Sequence, residues 1–241
     1  MRFKTLKRDS RLTKLVDKYA VREYVFETIG EEYLVPLIGV YSKVEDIDFN
    51  KLPKRFILKL NHGSGWNVIC QDKAKFDIED VISKLGSWLK QNYYLLGREY
   101  PYKNVIPKIV CEELVSRPDG EELMDYKFFC FYGEPKFIQA DVDRETNHAI
   151  NIYDLNWQQV PVSLQYPRSN KKVAIPSNFE LMKKLARKLS KGFDFVRVDF
   201  YNLNGKIYFG EMTFFPGNCA DSIDPIEYDL EWGNFFVKGK K

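Results

Sequence analysis

The residues of this chain whose types and spacing could do chemistry lie near its end. They are Arg197 and Asp199 in the run 195–200, and Glu211 and Thr213 in the run 207–213. Both runs are apolar and aromatic-rich, and Asn204-Gly205 between them is a strong hairpin signal. Arg197 and Asp199 share a face, because strand side chains alternate with period two. The loop decides where Glu211 points. A two-residue Asn204-Gly205 loop sends it opposite Val198, to the other face. A three-residue loop, 203–205, with Gly205 left-handed puts it opposite Arg197, with Thr213 following on the same face. The three-residue loop is the expectation, since it gathers the four residues into one polar patch. Two carboxylates, a hydroxyl and a guanidinium suit Mg²⁺ with phosphate, because hard cations take oxygen ligands and arginine forks onto phosphate oxygens. A structural Arg/Asp/Glu ion-pair cluster is the competing reading of the same spacing.

The elements that must position these residues can be read from the pattern of apolar side chains. Residues 9–29 carry a helical stripe (Leu12, Leu15, Val16, Tyr19, Phe26) that stops at Gly30. Residues 31–52 read as loop, closing at Pro53. A strand over 55–60 enters the small-residue loop 61–65, and a second strand runs through 68–70. Asp77 caps an amphipathic helix over 78–94 whose inner face is Val81, Ile82, Leu85, Trp88 and Leu89. Residues 106–110 read as a strand leading to Glu112, Glu113 and Leu114. Residues 116–120 form a turn and the expected lobe boundary. Residues 126–132 and 135–141 form a hairpin around Gly133-Glu134, and 150–160 adds a strand or an irregular edge. Ser177 with Glu180 forms a capping box for a helix through Ser190. Residues 216–241 read as mostly irregular. Hairpins dominate, so the expected class is α+β with largely antiparallel sheets in two lobes. The expected divisions are a helical segment 1–52, a small lobe 53–115 and a large lobe 116–241.

Composition excludes several functions. A net charge of +3 is too small to argue for nucleic acid. No apolar run approaches a membrane span, and none follows the basic start Arg2, Lys4, Lys7, Arg8 and Arg11, so a cytoplasmic protein is expected. Cys70, Cys111, Cys130 and Cys219 are far apart, and His62 and His148 are the only histidines, so no zinc site is expected. Cys111 and Cys130 fall in apolar runs and read as buried thiols.

The order of parts resembles the ATP-grasp superfamily: a Lys-bearing strand running into a Gly-rich loop (Lys59 to Gly65), an acidic hinge (Glu112, Glu113), then Arg-x-Asp, Glu-x-Thr and Pro216-Gly217. The wording is closer still to its teichuronopeptide-biosynthesis (TupA-like) branch, found with bacterial capsule and surface-polysaccharide genes. The matching phrases are 17–22, 59–65, 125–131 and 209–214, and the resemblance covers roughly 9–233. It implies ATP held between two antiparallel sheets. Lys59 and Lys127 would meet its phosphates, and the backbone of Gly63, Ser64 and Gly65 would approach them closely. His62 would be either a phosphate contact or a support for the turn. Glu112, Glu113 and the backbone around Leu114 would hold adenine and ribose. Asp199, Glu211 and Thr213 would bind Mg²⁺, although many ATP-grasp enzymes have Asn where Thr213 stands. Arg197 would stabilise the transferring phosphoryl group. Lys18 and Arg22, a helical turn apart, would either close over the site or face solvent.

The resemblance implies an ATP-dependent carboxylate–amine ligase working through an acyl phosphate. Its substrates would be small-molecule or glycan-linked carboxylates and amines, and it would associate peripherally with polysaccharide assembly machinery. Two alternatives stand beside it. One is a glycosyltransferase using Asp141-Val142-Asp143 as a metal motif, with Arg144 beside it. The other is a kinase acting on a hydroxyl.

Overall fold

The computed structural model describes residues 8–116, 123–143 and 146–238, with side chains to 236. The turn expected at 116–120 lies, from residue 117, outside the described residues, and so does Arg144. The chain divides into two units, 1–24 with 34–115, and 25–33 with 116–241.

The first unit is built on four strands: β1 (Leu37–Tyr41), β2 (Phe56–Leu60), β3 (Asn67–Cys70) and β4 (Ile109–Glu113). Their order is β1-β4-β2-β3, every pair antiparallel. Phe56, Leu58 and Leu60 alternate along β2 and are fully buried with Ile109, Cys111 and Leu85. The intervening Lys59 therefore falls on the opposite face.

Several sequence expectations shift here. The helix predicted over 9–29 is two helices, α1 (Arg11–Val16) and α2 (Val21–Thr28); α2 runs from the first unit into the second. Asp17 makes the break. Its Oδ1 accepts from the backbone of Tyr19 and Ala20, at 2.8 and 3.1 Å, and its carbonyl accepts from Val21 at 2.9 Å. A short carboxylate competing for local N–H groups ends one helix and starts the next. Tyr19 and Phe26 are exposed; Val21 and Val25 take their places in the core. Residues 31–52 are not wholly loop, because β1 lies there as the sheet edge. The strand expected at 106–110 begins at Ile109, and Ile106 is exposed. Helix α3 (Ile78–Leu89) stops short of residue 94 and leaves Ile82 exposed. Asp77 caps it, its Oδ1 accepting from Asp80 N at 3.0 Å. A short helix, α4 (Tyr94–Gly97), follows.

The second unit is a six-stranded antiparallel sheet. Its strands are β5 (Asp125–Phe131), β6 (Glu134–Val142), β7 (Ala149–Tyr153), β8 (Gln159–Val160), β9 (Phe195–Leu203) and β10 (Lys206–Thr213), in the order β10-β9-β5-β6-β7-β8. Helix α5 (Phe179–Ser190) packs on one face, where Phe179 meets Phe128. Helix α6 (Ile226–Lys238) covers part of the other face, its Trp232 stacked on Phe137 at 4.4 Å. Residues 216–241 are thus not mostly irregular. Trp232, Phe235 and Phe236 anchor α6 on the aromatic side chains of β5 and β6. The Ser177/Glu180 capping box does not form: α5 begins after Asn178, with no side-chain cap. The β5–β6 turn is Tyr132-Gly133, both at positive φ, one residue earlier than expected.

Candidate functional site

The β9–β10 hairpin reaches the expected patch by a different route. Leu203 pairs with Lys206, so the loop is the two-residue Asn204-Gly205, with φ of 51° and 81°. The three-residue loop is therefore wrong. A regular ladder from this turn would place Glu211 opposite Val198. Instead the register slips between Phe209 and Glu211, and Gly210 is the extra residue. Beyond this bulge Glu211 lies opposite Asp199, and Thr213 opposite Arg197. Parity is restored by the bulge rather than by the loop. Gly210 suits the position, since a Cβ there would stand 3.1 Å from the Asp199 carbonyl oxygen.

Arg197 organises the patch. Its Nε and Nη2 donate to the two carboxylate oxygens of Asp199 at 2.8 and 2.6 Å. Nη2 also donates to Glu211 Oε1 at 3.1 Å and Thr213 Oγ1 at 3.2 Å. Nη1 has no hydrogen-bond partner among the described residues. Burial lowers the guanidinium's hold on its proton, but Asp199 more than compensates, and Arg197 stays charged. Burial pushes the Asp199 carboxyl up from its ordinary value, against the pull of Arg197. Asp199 is 3% exposed, while Glu211 is more open.

Lys127 lies beside this patch on β5, with Asp199 as its strand partner. It is buried and ion-paired to Asp141, with Asp125 at 3.4 Å. Burial alone would lower its pKa, yet Asp125, Asp199 and Asp141 together raise it. One face of the sheet thus holds Lys127 and Arg197 among Asp125, Asp141, Asp199 and Glu211. Phe129 and Phe137, further along the same face, are covered by α6.

The first unit carries a second cluster. Lys59 Nζ and Arg22 Nη1 each donate to one oxygen of Glu112, both at 2.8 Å. Diagonal placement across β2 and β4 brings Lys59 to Glu112, since Ile57 is the direct partner of Glu112. Glu112 is buried in this pairing, Glu113 is exposed and Leu114 half-buried. Lys18, in the break between α1 and α2 rather than a helical turn from Arg22, donates to the Gly63 carbonyl, so both cations engage this unit. Gly63 is buried against Trp66, while Ser64 and Gly65 are exposed. His62 is not at the loop surface. The residue is 2% exposed, its Nε2 meets the Gln91 carbonyl at 3.1 Å, and its ring packs on Trp66. Burial lowers its pKa. Asn61 straps the loop's start to the approach to β4, bonding Ile106 O and Lys108 N at 3.0 and 2.7 Å.

Sequence reasoning missed Asn61, Gln139 and His148. Buried polar residues flanking a Gly-rich loop, or alternating with Asp141 on an apolar strand, were the available signal. Asp141 is engaged by Lys127 and Gln139, and Asp143 by Lys171 at 2.6 Å.

The residues fit Mg²⁺ in one specific sense. Among the described residues no three His, Cys, Asp or Glu side chains form a metal cage. Mg²⁺ is ordinarily held by one or two carboxylates with phosphate oxygens and water completing its shell. Opposed Asp199 and Glu211, with the Thr213 hydroxyl, make such an oxygen-only donor set.

Solved structures share this fold. D-alanine–D-alanine ligase from Bacillus anthracis superposes with a TM-score of 0.53 at 17% identity, covering 95% of this chain and 68% of that one. N5-carboxyaminoimidazole ribonucleotide synthetase, purK, gives 0.51 at 10%, covering 85% and 46%. The ATP-grasp ligase PsnB gives 0.50 at 12%, covering 88% and 57%. The chain thus spans about half to two thirds of the length of these structures. No curated protein matches it. The fold is that of the ATP-grasp proteins, which removes the basis of the glycosyltransferase reading. The family model described as TupA-like ATP-grasp matches residues 1–237, and the chain belongs to that family.

Proposed function

We propose that the chain is an ATP-dependent carboxylate–amine ligase that forms an amide through an acyl phosphate, in the assembly of a bacterial surface polysaccharide or peptide polymer. The observation that carries this reading is the single polar face of Arg197, Asp199, Glu211, Thr213 and Lys127 in a chain of the ATP-grasp family. A carboxylate oxygen of the acceptor attacks the γ-phosphorus of ATP, and the bond to ADP breaks. The amine then attacks the acyl carbon, loses a proton and displaces phosphate. This chemistry needs positioning and charge neutralisation rather than a protein nucleophile.

Arg197 is fixed by Asp199 through two of its nitrogens, which leaves Nη1 to donate to a phosphoryl oxygen. Lys127 and Lys59 are read as phosphate contacts on the family resemblance. Asp199, Glu211 and Thr213 would hold Mg²⁺, which neutralises phosphate charge when bound. The capsule or surface-polymer setting and a cytoplasmic location rest on the family resemblance. Among the described residues no helix is long and apolar enough to cross a membrane.

Hydroxylamine tests the reaction class. It converts an acyl phosphate to a hydroxamate, which a ferric salt colours. With Mg·ATP and a panel of uronic acids and acidic peptides, ADP release accompanied by hydroxamate is expected. ADP release with a phosphorylated alcohol and no hydroxamate would make the protein a kinase instead.

A further inference from the structure

Lys127 sits at a fork in the sheet. Across β9 its direct partner is Asp199; across β6 its partner is Gln139, and Asp141 follows on the same face. Directly opposed residues of an antiparallel pair stand about 4.5–5.5 Å apart at Cβ and diagonal ones about 7–8 Å, both within the reach of a lysine, so the ammonium can reach either carboxylate. It is found on Asp141. That carboxylate is fixed in direction from behind. Gln139 Nε2 donates to its Oδ1 at 2.6 Å, whereas His148 Nε2, 3.7 Å from its Oδ2, is beyond hydrogen-bond distance. The His148 ring is itself pressed on Tyr166, with centroids 3.7 Å apart. Asp141 is 3% exposed, so little water competes for it. Asp199, in contrast, has both oxygens turned to Arg197.

We propose that Asp141 is a positioning residue: it holds the Lys127 ammonium on the β6 side of β5 and keeps it off Asp199. The inference rests on the ligase reading, since its consequence is that Asp199, already paired with Arg197, is not met by a second ammonium and keeps its remaining lone pairs for a divalent cation. Without Asp141, Lys127 swings to its direct strand partner and competes with that cation. A lysine that merely needed a counter-ion would be served by Asp125 on its own strand, 3.4 Å away. Asp141 adds the direction. A charge-assisted bond of this kind is worth roughly a factor of ten or more.

The test is thermal stabilisation by ATP at fixed concentration, with Mg²⁺ titrated, for the full chain and three variants. Asp141→Asn should raise the half-saturating Mg²⁺ concentration about tenfold. Lys127→Met should weaken ATP binding but leave the Mg²⁺ midpoint in place. The double variant should follow Lys127→Met, because the competing ammonium is gone. A midpoint unmoved in Asp141→Asn overturns the inference, as does a shift that persists in the double variant. Should circular dichroism in EDTA show Asp141→Asn unfolded, Gln139→Met loosens the same carboxylate more gently. It should then shift the midpoint in the same direction, and an unchanged midpoint overturns the inference. If the wild-type chain ignores Mg·ATP, the ligase reading falls and takes this inference with it. A wild-type response with unmoved variants removes this inference alone.

Discussion

Replacing Arg197 with Met tests whether the guanidinium holds the β9–β10 face together. The side chain donates to both oxygens of Asp199, to Glu211 and to Thr213. Its removal strands Asp199, which is 3% exposed and cannot recruit much water. Breaking one partner out of a buried ion pair costs about 3–5 kcal/mol. The Glu211 and Thr213 contacts add little, because Glu211 is about a third exposed and screened. For a unit of this size that loss corresponds to a fall in Tm of roughly 10 °C. The sign with pH is fixed by Asp199. Burial raises its folded pKa from 3.8 toward about 7. In that window the folded state binds more protons than the unfolded state, so this group's contribution to stability falls as pH rises. Without Arg197 the charged form is penalised further. The variant's deficit should therefore be smaller near pH 4 and larger near pH 8. Asp199→Asn in the same background should recover much of it. Urea melts of the wild type, Arg197→Met and the double variant at the two pH values measure this. A deficit independent of pH, or no recovery in the double variant, would refute the buried-pair reasoning.

Other outcomes follow from single features. Glu211→Gln should abolish hydroxamate formation yet cost about 1 kcal/mol or less in stability, since the side chain is partly open; early unfolding of this variant would make Glu211 structural. Deleting Gly210 keeps Phe209 opposite Phe200 and Glu211 opposite Asp199, so calorimetry should find ATP binding retained, whereas Gly210→Val drives a side chain at the Asp199 carbonyl and should lose it. The reverse ranking would mean the bulge does not set the patch. His62 is buried with a lowered pKa, so its contribution to stability is present above its ordinary 6.5 and is lost as pH falls below that value. At pH 5.5 this amounts to at most about 1.4 kcal/mol. The drop in Tm between pH 7.5 and 5.5 should shrink in His62→Gln, and equal drops in both proteins would remove His62 as the cause.

Much of the architecture was legible because it depends on local pattern. The Phe56/Leu58/Leu60 alternation gave β2 and put Lys59 on the other face. The Asn204-Gly205 pair gave the last hairpin. The shared face of Arg197, Asp199, Glu211 and Thr213 was also legible, but its cause was not: parity can be restored by a loop or by a bulge, and a lone Gly210 does not announce which. Helix α6 was missed because its apolar residues face an aromatic patch that only the folded sheet assembles. The break at Asp17 was missed because Leu12 through Phe26 keep a helical spacing through it, and one carboxylate overrides that spacing locally. The partners of charged residues were the least legible. Glu112 meets Lys59 and Arg22, and Lys127 meets Asp141, through strand pairings that composition and spacing leave open.

The central claim is that the face bearing Asp199 and Glu211 receives a metal-bound nucleotide. Isothermal titration of ATP into the chain, with Mg²⁺ and with EDTA, in wild type and Glu211→Gln, tests it most directly. The account predicts tight Mg²⁺-dependent binding to the wild type, loss of the Mg²⁺ dependence in Glu211→Gln, and no comparable binding of UDP-sugars. Binding of UDP-sugars in preference to ATP, or Mg²⁺ dependence that survives in Glu211→Gln, would contradict it.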